Sequence, residues 1–353
     1  MYILRKDGVK TTIKDVAKLA GVSFKTVSRV INEEPSVKPD TAEKVHQAIA
    51  QLHYQPNTAA RNLAGTKAYA IGYVYDNPNA YYIINMQNGI LNECRNRGYE
   101  LIIHPCNASS ANVTDEILQM VKRSQLAGLV LSPPLSEMAS VMDVLDDLDI
   151  PYVRIVSGSA TKRSHRPCVF VHDRDAAKNI VDHMISLGHQ RIAFISGDKG
   201  HRSTEERKLG YREALLDRGL SVDPELEIDG SYSFESGVKG LKSLLDLETP
   251  PSAIFACNDE IASGTLFAAR LNGIDVPGKL AIAGFENSPF SRQTWPKLTT
   301  AAQPTDQIAR QAAQTLIDII QSARNVKFGS SGKVQHVHFH PELVIRESTY
   351  LPD

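Results

Sequence analysis

Apolar residues at Ile13, Val16, Ala17 and Ala20 recur at helical spacing, with Lys14, Asp15 and Lys18 between them. That pattern predicts a short amphipathic helix. Thr12 is placed to cap it, and Asp15 puts a negative charge near its N-terminus, where the helix dipole favours one. Gly21 supplies the stop that needs a positive φ. Val22 plugs the turn, and Ser23 can cap a second helix through Phe24 to Ile31 whose Val27 and Val30 face inward. Phe24, Lys25, Thr26, Ser28 and Arg29 are left facing outward. Two short helices, a glycine turn between them and polar reach on the second make a helix-turn-helix. A third helix is predicted from Asp40 to Leu52, with Pro39 in its first turn and Ala42, Val45, Ile49 and Leu52 on one face. After a break at Tyr54-Gln-Pro-Asn57, the stretch from Thr58 to Ala64 is too short to hold as an isolated helix. A helix that forms only in context is a candidate switch.

From Ala68 onward the pattern changes. Short apolar runs read as buried strands: Ala70–Val74, Leu101–Ile103, Gly128–Leu131, Tyr152–Ile155, Ile192–Ile195, Ala253–Ala256 and Leu280–Ala283. Amphipathic segments such as Ile83–Arg97, Ala176–Leu187, Glu205–Arg218, Ser236–Leu247 and Asp259–Leu271 lie between most of them. Repeated β-α alternation predicts parallel sheets with helices on both faces. The strands are too many for one compact sheet, so two doubly wound lobes are expected, with ligands near the carboxyl ends of the strands.

The headpiece signature TIKDVAKLAGVS..TVSRVIN, the Tyr54-Gln-Pro-Asn57 break and Ala59-Ala60-Arg61-Asn62-Leu63-Ala64 resemble the LacI/GalR (lac repressor) family of bacterial transcription regulators. The resemblance spans nearly the whole chain. It implies an all-α helix-turn-helix headpiece followed by an α/β periplasmic-binding-protein-like effector domain of two doubly wound lobes. The headpiece would be residues 1–56, the hinge helix and linker 57–67, and the effector-binding and dimerisation domain 68–353. In that domain the first lobe would take about 68–169 and 301–328, and the second about 170–300 and 329–353. Crossings between lobes fall near Val169–Asp173, Thr299–Ala302 and Lys327–Lys333, and a helix at Thr305–Gln321 closes the first lobe.

The resemblance also implies roles for single residues. Phe24, Lys25 and Arg29 fall where relatives read base edges, and Lys and Arg suit the O6 and N7 acceptors of guanine. Thr12, Ser23, Thr26, Ser28 and Asn32 are better placed for phosphates, which set register and not sequence; capping or solvation is the plainer reading of each. In relatives the hinge becomes helical on the operator and drives a leucine into a minor-groove step, which gives Asn57, Ala60 and Leu63 DNA-facing roles. Such a wedge unstacks DNA at roughly a few kcal/mol per step.

A cleft between the lobes is expected to take a small sugar-like effector. Tyr81 and Tyr82, Arg154, Ser203 and Arg207, Tyr232, Asn258, Glu260 and Glu286 match the family's ligand-binding positions. Aromatic faces cover C–H patches, while Arg, Asn and carboxylates bond vicinal hydroxyls. Tyr232 stands where Trp or Phe is common and brings a hydroxyl that needs a partner if buried. Glu286 stands where aspartate is usual. Arg154 stands where an acid is often found; it either pairs with Glu286 or Glu260, the preferred reading, or receives an acidic sugar. Asp173 is read as structural.

Charge refines this picture. The chain has 353 residues and a net charge of −1. Residues 1–67 carry 11 Lys/Arg against 6 Asp/Glu, a balance of +5, and the remainder carries 28 against 34, a balance of −6. A basic front on an acidic body suits a DNA-reading head on a sensor. There is no run of 18 apolar residues and no signal-peptide core. Cys94, Cys106, Cys168 and Cys257 form no CxxC pair. Free, mostly buried thiols in a reducing cytoplasm are expected.

His336, His338 and His340 alternate in HVHFH and share one face of a strand, with no carboxylate between them. A surface strand is preferred to a metal site, and neither a metal nor another cofactor is expected. Gly197-Asp-Lys-Gly200 lacks the ending of a phosphate loop, and no motif sets out a catalytic group. The expected protein is therefore a cytoplasmic homodimeric regulator, most simply a repressor of sugar-utilisation genes, that binds double-stranded operator DNA and a small effector. The alternatives are a transport-type sugar-binding protein, a sugar-acting enzyme, and a regulator using a corepressor such as a nucleobase. No leucine heptad follows Gln321, so a tetramerising coiled coil is not expected.

Overall fold

The computed structural model describes residues 11–31, 36–54, 68–159, 165–325 and 335–350. The chain divides into two compact units, Met1–Tyr69 and Ala70–Asp353.

The first unit is helical: α1 (Ile13–Ala20), α2 (Phe24–Ile31) and α3 (Pro39–Gln51). Asp15 accepts from the backbone N–H of Thr12 at 2.9 Å and from its hydroxyl at 2.8 Å, which fixes the entry to α1. Gly21 takes φ +66° and its N–H returns to the Ala17 carbonyl, an end that a Cβ would strain. The hydroxyl of Ser23 accepts from the backbone N–H of Thr26 at 3.1 Å and starts α2. Val16, Val27 and Val45 are wholly buried, with Val30 and Ala48 nearly so, and Ile13, Val22, Ala42, Ile49 and Leu52 pack around them. These are the residues whose helical spacing predicted the three helices.

The second unit begins with β1 (Ala70–Tyr75), α4 (Ala80–Arg97), β2 (Glu100–Pro105), α5 (Val113–Ser124), β3 (Gly128–Leu131), α6 (Ala139–Asp147), β4 (Tyr152–Ser157) and β5 (Cys168–Val171). It then alternates through α7 (Asp173–Ser186), β6 (Ile192–Ile195), α8 (Arg202–Asp217), β7 (Glu227–Ile228), α9 (Phe234–Leu245), β8 (Ala253–Ala256), α10 (Asp259–Leu271) and β9 (Ala281–Ala283). The last described elements are α11 (Pro289–Gln293), β10 (Thr300–Ala302), α12 (Thr305–Asn325), β11 (Val337–Phe339) and β12 (Glu342–Val344).

Two parallel sheets result. The first has the order β11-β5-β4-β3-β1-β2, and the second β7-β6-β8-β9. In each, the chain reverses direction across the sheet, beside β1 in the first and beside β6 in the second, and such switch points open crevices at the strands' carboxyl ends. β10 and β12 pair antiparallel as a separate ribbon. The strands of the second sheet are buried from Ile192 to Ile195 and from Ala253 to Ala256, as continuous apolar runs covered on both faces require. Helix α12 packs on α4 and under β3 and β4, closing the first lobe as expected.

The first crossing, expected near Val169–Asp173, falls at His172, between α7 and strand β5, which pairs with β4 from Arg154↔Cys168 to Ser157↔Val171. One expectation about the rest of the organisation needs correction. Residues 329–353 were assigned whole to the second lobe, with the third crossing near Lys327–Lys333. β11 instead pairs in parallel with β5, from Val337↔Val169 to Phe339↔Val171, and so belongs to the first sheet. The third crossing therefore falls at His340 and Pro341, between β11 and β12. Three residues of edge strand are too short to announce which sheet they join. Cys94, Cys168 and Cys257 are buried free thiols and Cys106 is partly buried. No helix among the described residues is long and apolar enough to cross a membrane.

Candidate functional site

On the headpiece, burying Val27 and Val30 turns the rest of α2 outward. Phe24 is 53% exposed, an unusual position for a phenyl ring, and Lys25 and Arg29 are exposed beside it. These side chains form one edge with an aromatic face and two cations. Ser23 and Thr26 are engaged with each other, their hydroxyl oxygens 2.9 Å apart, so capping occupies both in this conformation. Thr12 is held by Asp15 in the same way, and Ser28 is half-buried. Asn32, Asn57, Ala60 and Leu63 lie outside the described residues.

In the second unit, a pocket opens between the lobes at the carboxyl ends of the strands. Asn77 follows β1, Pro133 follows β3, Ser157 ends β4, Val171 ends β5 and Glu286 follows β9; Asn79, Tyr82, Asp173, His201, Ser203, Arg207, Tyr232 and Gln303 complete the polar lining. The pocket's volume is ≈ 30 Å³, space for about two waters. A sugar-sized molecule needs more room than this.

Arg207 is the centre of this pocket and only 3% exposed. Its Nε donates to Asp173 Oδ1 at 2.9 Å, its Nη1 to the Cys257 carbonyl at 2.8 Å and its Nη2 to Gln303 Oε1 at 3.4 Å. The guanidinium lies 3.8 Å over the ring of Phe285, and Glu286 Oε1 is 3.6 Å from its Nη1. A planar cation with five donors in a fixed fork suits such a position. The other oxygen of Asp173 accepts from Ser157 Oγ at 2.5 Å. Asp173, read as structural from the sequence, is thus both the partner of the pocket's arginine and a link to the first lobe.

Glu286 closes the pocket from the second lobe. Asn79, which caps α4 by accepting from the N–H groups of Tyr81 and Tyr82, donates through Nδ2 to Glu286 Oε2 at 2.6 Å. Glu286 adopts φ +98° and Asn287 φ +55°, a strained pair of the kind found where a loop must aim a side chain. Burial pushes the Glu286 carboxyl up to about 7; Arg207 opposes the rise, and the charges of Asp259 and Asp173 add to it. Asp259, also pushed up to about 7 by burial, accepts from Thr300 Oγ1 and from the Ser288 N–H, each at 2.6 Å. It therefore pins the strained loop from below.

Tyr232 found the partner its hydroxyl requires. The ring is 7% exposed, and the oxygen lies 2.8 Å from Thr204 Oγ1 and 3.1 Å from Ser203 Oγ. His201 meets the ring edge-on at 5.5 Å.

Five of the nine expected effector residues line the pocket: Tyr82, Ser203, Arg207, Tyr232 and Glu286. The other four do not, each for a visible reason. Tyr81 lies one position round α4 from Tyr82 and packs edge-on against Phe290 of the second lobe at 5.6 Å. Asn258 spends its carbonyl oxygen capping α10 at Ile261 N–H, 2.9 Å away. Glu260 faces the backbone of Phe234, where burial raises its carboxyl above the usual range. Arg154 was expected to pair with Glu286 or Glu260. It is buried within β4 and donates through Nε to the Ser136 carbonyl at 2.7 Å, near Glu137, whose carboxyl burial lifts to about 7 against the pull of Arg202 and Arg154. The lining adds Asn77, Asn79, Ser157, Asp173, His201 and Gln303. Only Asn79 carried a sequence signal, as the capping residue ahead of the first long helix.

Residues 12–57 match the model of bacterial regulatory proteins of the lacI family, and residues 181–349 match the periplasmic binding protein-like domain. Catabolite control protein A of Priestia megaterium is 32% identical over 92% of this chain and 100% of its own. The transcriptional repressor PurR of Actinobacillus pleuropneumoniae is 31% identical over 96% and 98%. The probable transcriptional repressor ExuR of Bacillus subtilis is 29% identical over 96% and 98%. Among solved structures, the transcriptional regulator CelR in complex with cellobiose superposes with a TM-score of 0.70 at 27% identity, covering 96% of this chain and all of that one. The lac repressor dimer bound to operator and an anti-inducer gives a TM-score of 0.73 at 24% identity, over 97% and 100%, a likeness of fold.

Proposed function

The chain belongs to the LacI family of bacterial transcription regulators, and on that premise we propose that it is a dimeric repressor whose hold on operator DNA is set by a small polar effector in the interlobe pocket. Two headpieces read a two-fold operator, with Phe24, Lys25 and Arg29 at base edges and Thr12, Ser23, Thr26, Ser28 and Asn32 near the backbone. Asn57, Ala60 and Leu63 are assigned to the minor-groove step. The site of action is the cytoplasm, where the DNA is, and the role is binding, not turnover.

The observation that carries the effector half is the Asn79–Glu286 bond across the pocket mouth, 2.6 Å long. The pocket is too small for a sugar, so an effector must exchange this interlobe bond for bonds of its own. That exchange gives it different affinities for the open and closed arrangements, which is the condition for shifting their populations. A near-complete switch needs about 5 kcal/mol of difference, on the order of 10⁴-fold. One guanidinium against the two carboxylates of Asp173 and Glu286 suits vicinal hydroxyls better than an added anion. A neutral sugar is therefore the effector class, ahead of a uronate.

Thermal shift at fixed protein concentration, with neutral sugars, uronates and nucleobases in parallel, tests the reading. A ligand at about 100 times its Kd adds roughly 2.7 kcal/mol. The same ligand should change affinity for an operator obtained by binding-site selection. A response to nucleobases and to no sugar would replace the sugar with a corepressor. Stabilisation by a sugar with no salt-dependent DNA binding would favour a transport-type binding protein.

A further inference from the structure

The triplet His336, His338 and His340 has no carboxylate of its own, but the fold supplies one. β11 is the edge strand beside β5, so its exit lies against the start of α7. There His172 Nε2 is 2.9 Å from His338 Nδ1, and His172 Nδ1 is 3.2 Å from Asp175 Oδ2. The rings of His172 and His340 stack with centroids 3.9 Å apart. One ligand atom from each of His172, Asp175 and His340 lies within 4.8 Å of the others. Two imidazoles and a carboxylate thus converge from two elements that no spacing in the sequence relates, while His338 meets the other ring nitrogen of His172.

We propose that His172, Asp175 and His340, with water in a fourth position, bind one transition-metal ion of the zinc type. Zinc–nitrogen bonds of about 2.0–2.1 Å put two donors on a tetrahedral ion roughly 3.3 Å apart; His172 and Asp175 already stand at 3.2 Å, and His340, within 4.8 Å of both, has at most about 1.5 Å to close. His340 and Asp175 are exposed and have room to move. Imidazole rotation about χ2 is broad and inexpensive, so a turn of the stacked His340 ring presents a nitrogen edge to the ion. The donor set excludes the hard cations: calcium and magnesium take oxygen ligands, while imidazole suits zinc, copper and nickel.

The position of the site gives it a consequence. His172 stands in the first crossing between lobes, between β5 and α7, and His340 in the third, between β11 and β12. An ion held by both ties two of the three crossover segments to each other. This assignment does not depend on the effector reading, because metal binding is measured directly.

The test uses untagged full-length protein stripped with a chelator. Zinc(II) is titrated in competition with a chromophoric chelator, and cobalt(II) is added separately for its visible d–d spectrum. The expected result is one ion per chain, tighter than about 10 µM, with a cobalt spectrum of four-coordinate type. His172→Ala and His340→Ala should each weaken binding by more than about tenfold, the range lost when metal sites are perturbed. Asp175→Asn, at an exposed position, serves where an alanine variant misfolds by circular dichroism. His104→Ala with Cys106→Ser removes the other grouping of potential ligands, His104, Cys106 and Glu116, and should leave the affinity unchanged. Binding that survives all three substitutions at His172, His340 and Asp175, binding lost with His104 and Cys106, or no zinc bound at 100 times the threshold overturns the assignment.

Discussion

Replacing Glu286 with glutamine removes a charge that the fold holds against its solvation preference. The carboxyl moves from an ordinary 4.5 to about 7, with burial the leading cause. For an acid, a raised folded value means that the ionised form destabilises the native state. The destabilisation is complete above about pH 7, shrinks as pH falls towards 4.5, and vanishes below it. A displacement of that size corresponds to about 3 kcal/mol. Since 14% of the side-chain surface still meets solvent, the working figure is about 2–3 kcal/mol. Glu286→Gln should therefore stabilise the protein by about 2–3 kcal/mol at pH 8 and by less than about 1 kcal/mol at pH 5. Gln keeps an oxygen for Asn79 Nδ2, so the interlobe bond can persist. Urea unfolding at both pH values and one protein concentration gives the two differences from the midpoints and slopes. A gain of equal size at the two pH values, or a loss at pH 8, refutes the reasoning. The same variant should respond less to effector, because a stabilising substitution at a strained polar site commonly removes a functional group.

Tyr232→Phe removes the hydroxyl shared with Thr204 and Ser203 and should cost about 1–2 kcal/mol in unfolding free energy; a neutral result would mean the two hydroxyls find other partners. Gly264→Ala should destabilise by about 1–3 kcal/mol, since a methyl there collides with the Phe234 carbonyl where α10 crosses α9, and an unchanged melting temperature contradicts that close approach. Arg29→Ala, at an exposed position of α2, should lower operator affinity by roughly 1–3 kcal/mol and relax one half-site position in a binding-site selection; an unchanged preference removes Arg29 from base reading.

The helical spacing of the headpiece was legible to within a residue, because Val16, Val27, Val30 and Val45 must all reach one small core. The fully buried strands, β5 excepted, were legible for the same reason. The pocket was only partly so. Arg207, Tyr232 and Glu286 could be placed by motif, yet their partners Asp173, Asn79 and Gln303 come from other elements and meet them only once the lobes are arranged. Tyr81 and Tyr82 are neighbours in sequence, and a rotation of about 100° round the helix sends one ring to Phe290 and the other to the pocket. Arg154 was placed by its match to a family position that often holds an acid, and nothing local marks the Ser136 carbonyl as its acceptor. β5 and β11 were missed as partners because parallel pairing across 165 or more residues leaves no period to read.

The long reach of β11 also sets an order of events during synthesis. The four strands of the second lobe lie between Ile192 and Ala283 and can assemble as soon as that stretch leaves the ribosome. The first lobe starts earlier, at Ala70, but its sheet and covering helix wait for α12 and for Val337–Phe339. Domains usually fold in the order they are made; here the lobe translated first gains its edge strand only after the four-stranded sheet of the second has been made, and its exposed β5 edge must be kept from wrong partners for that time.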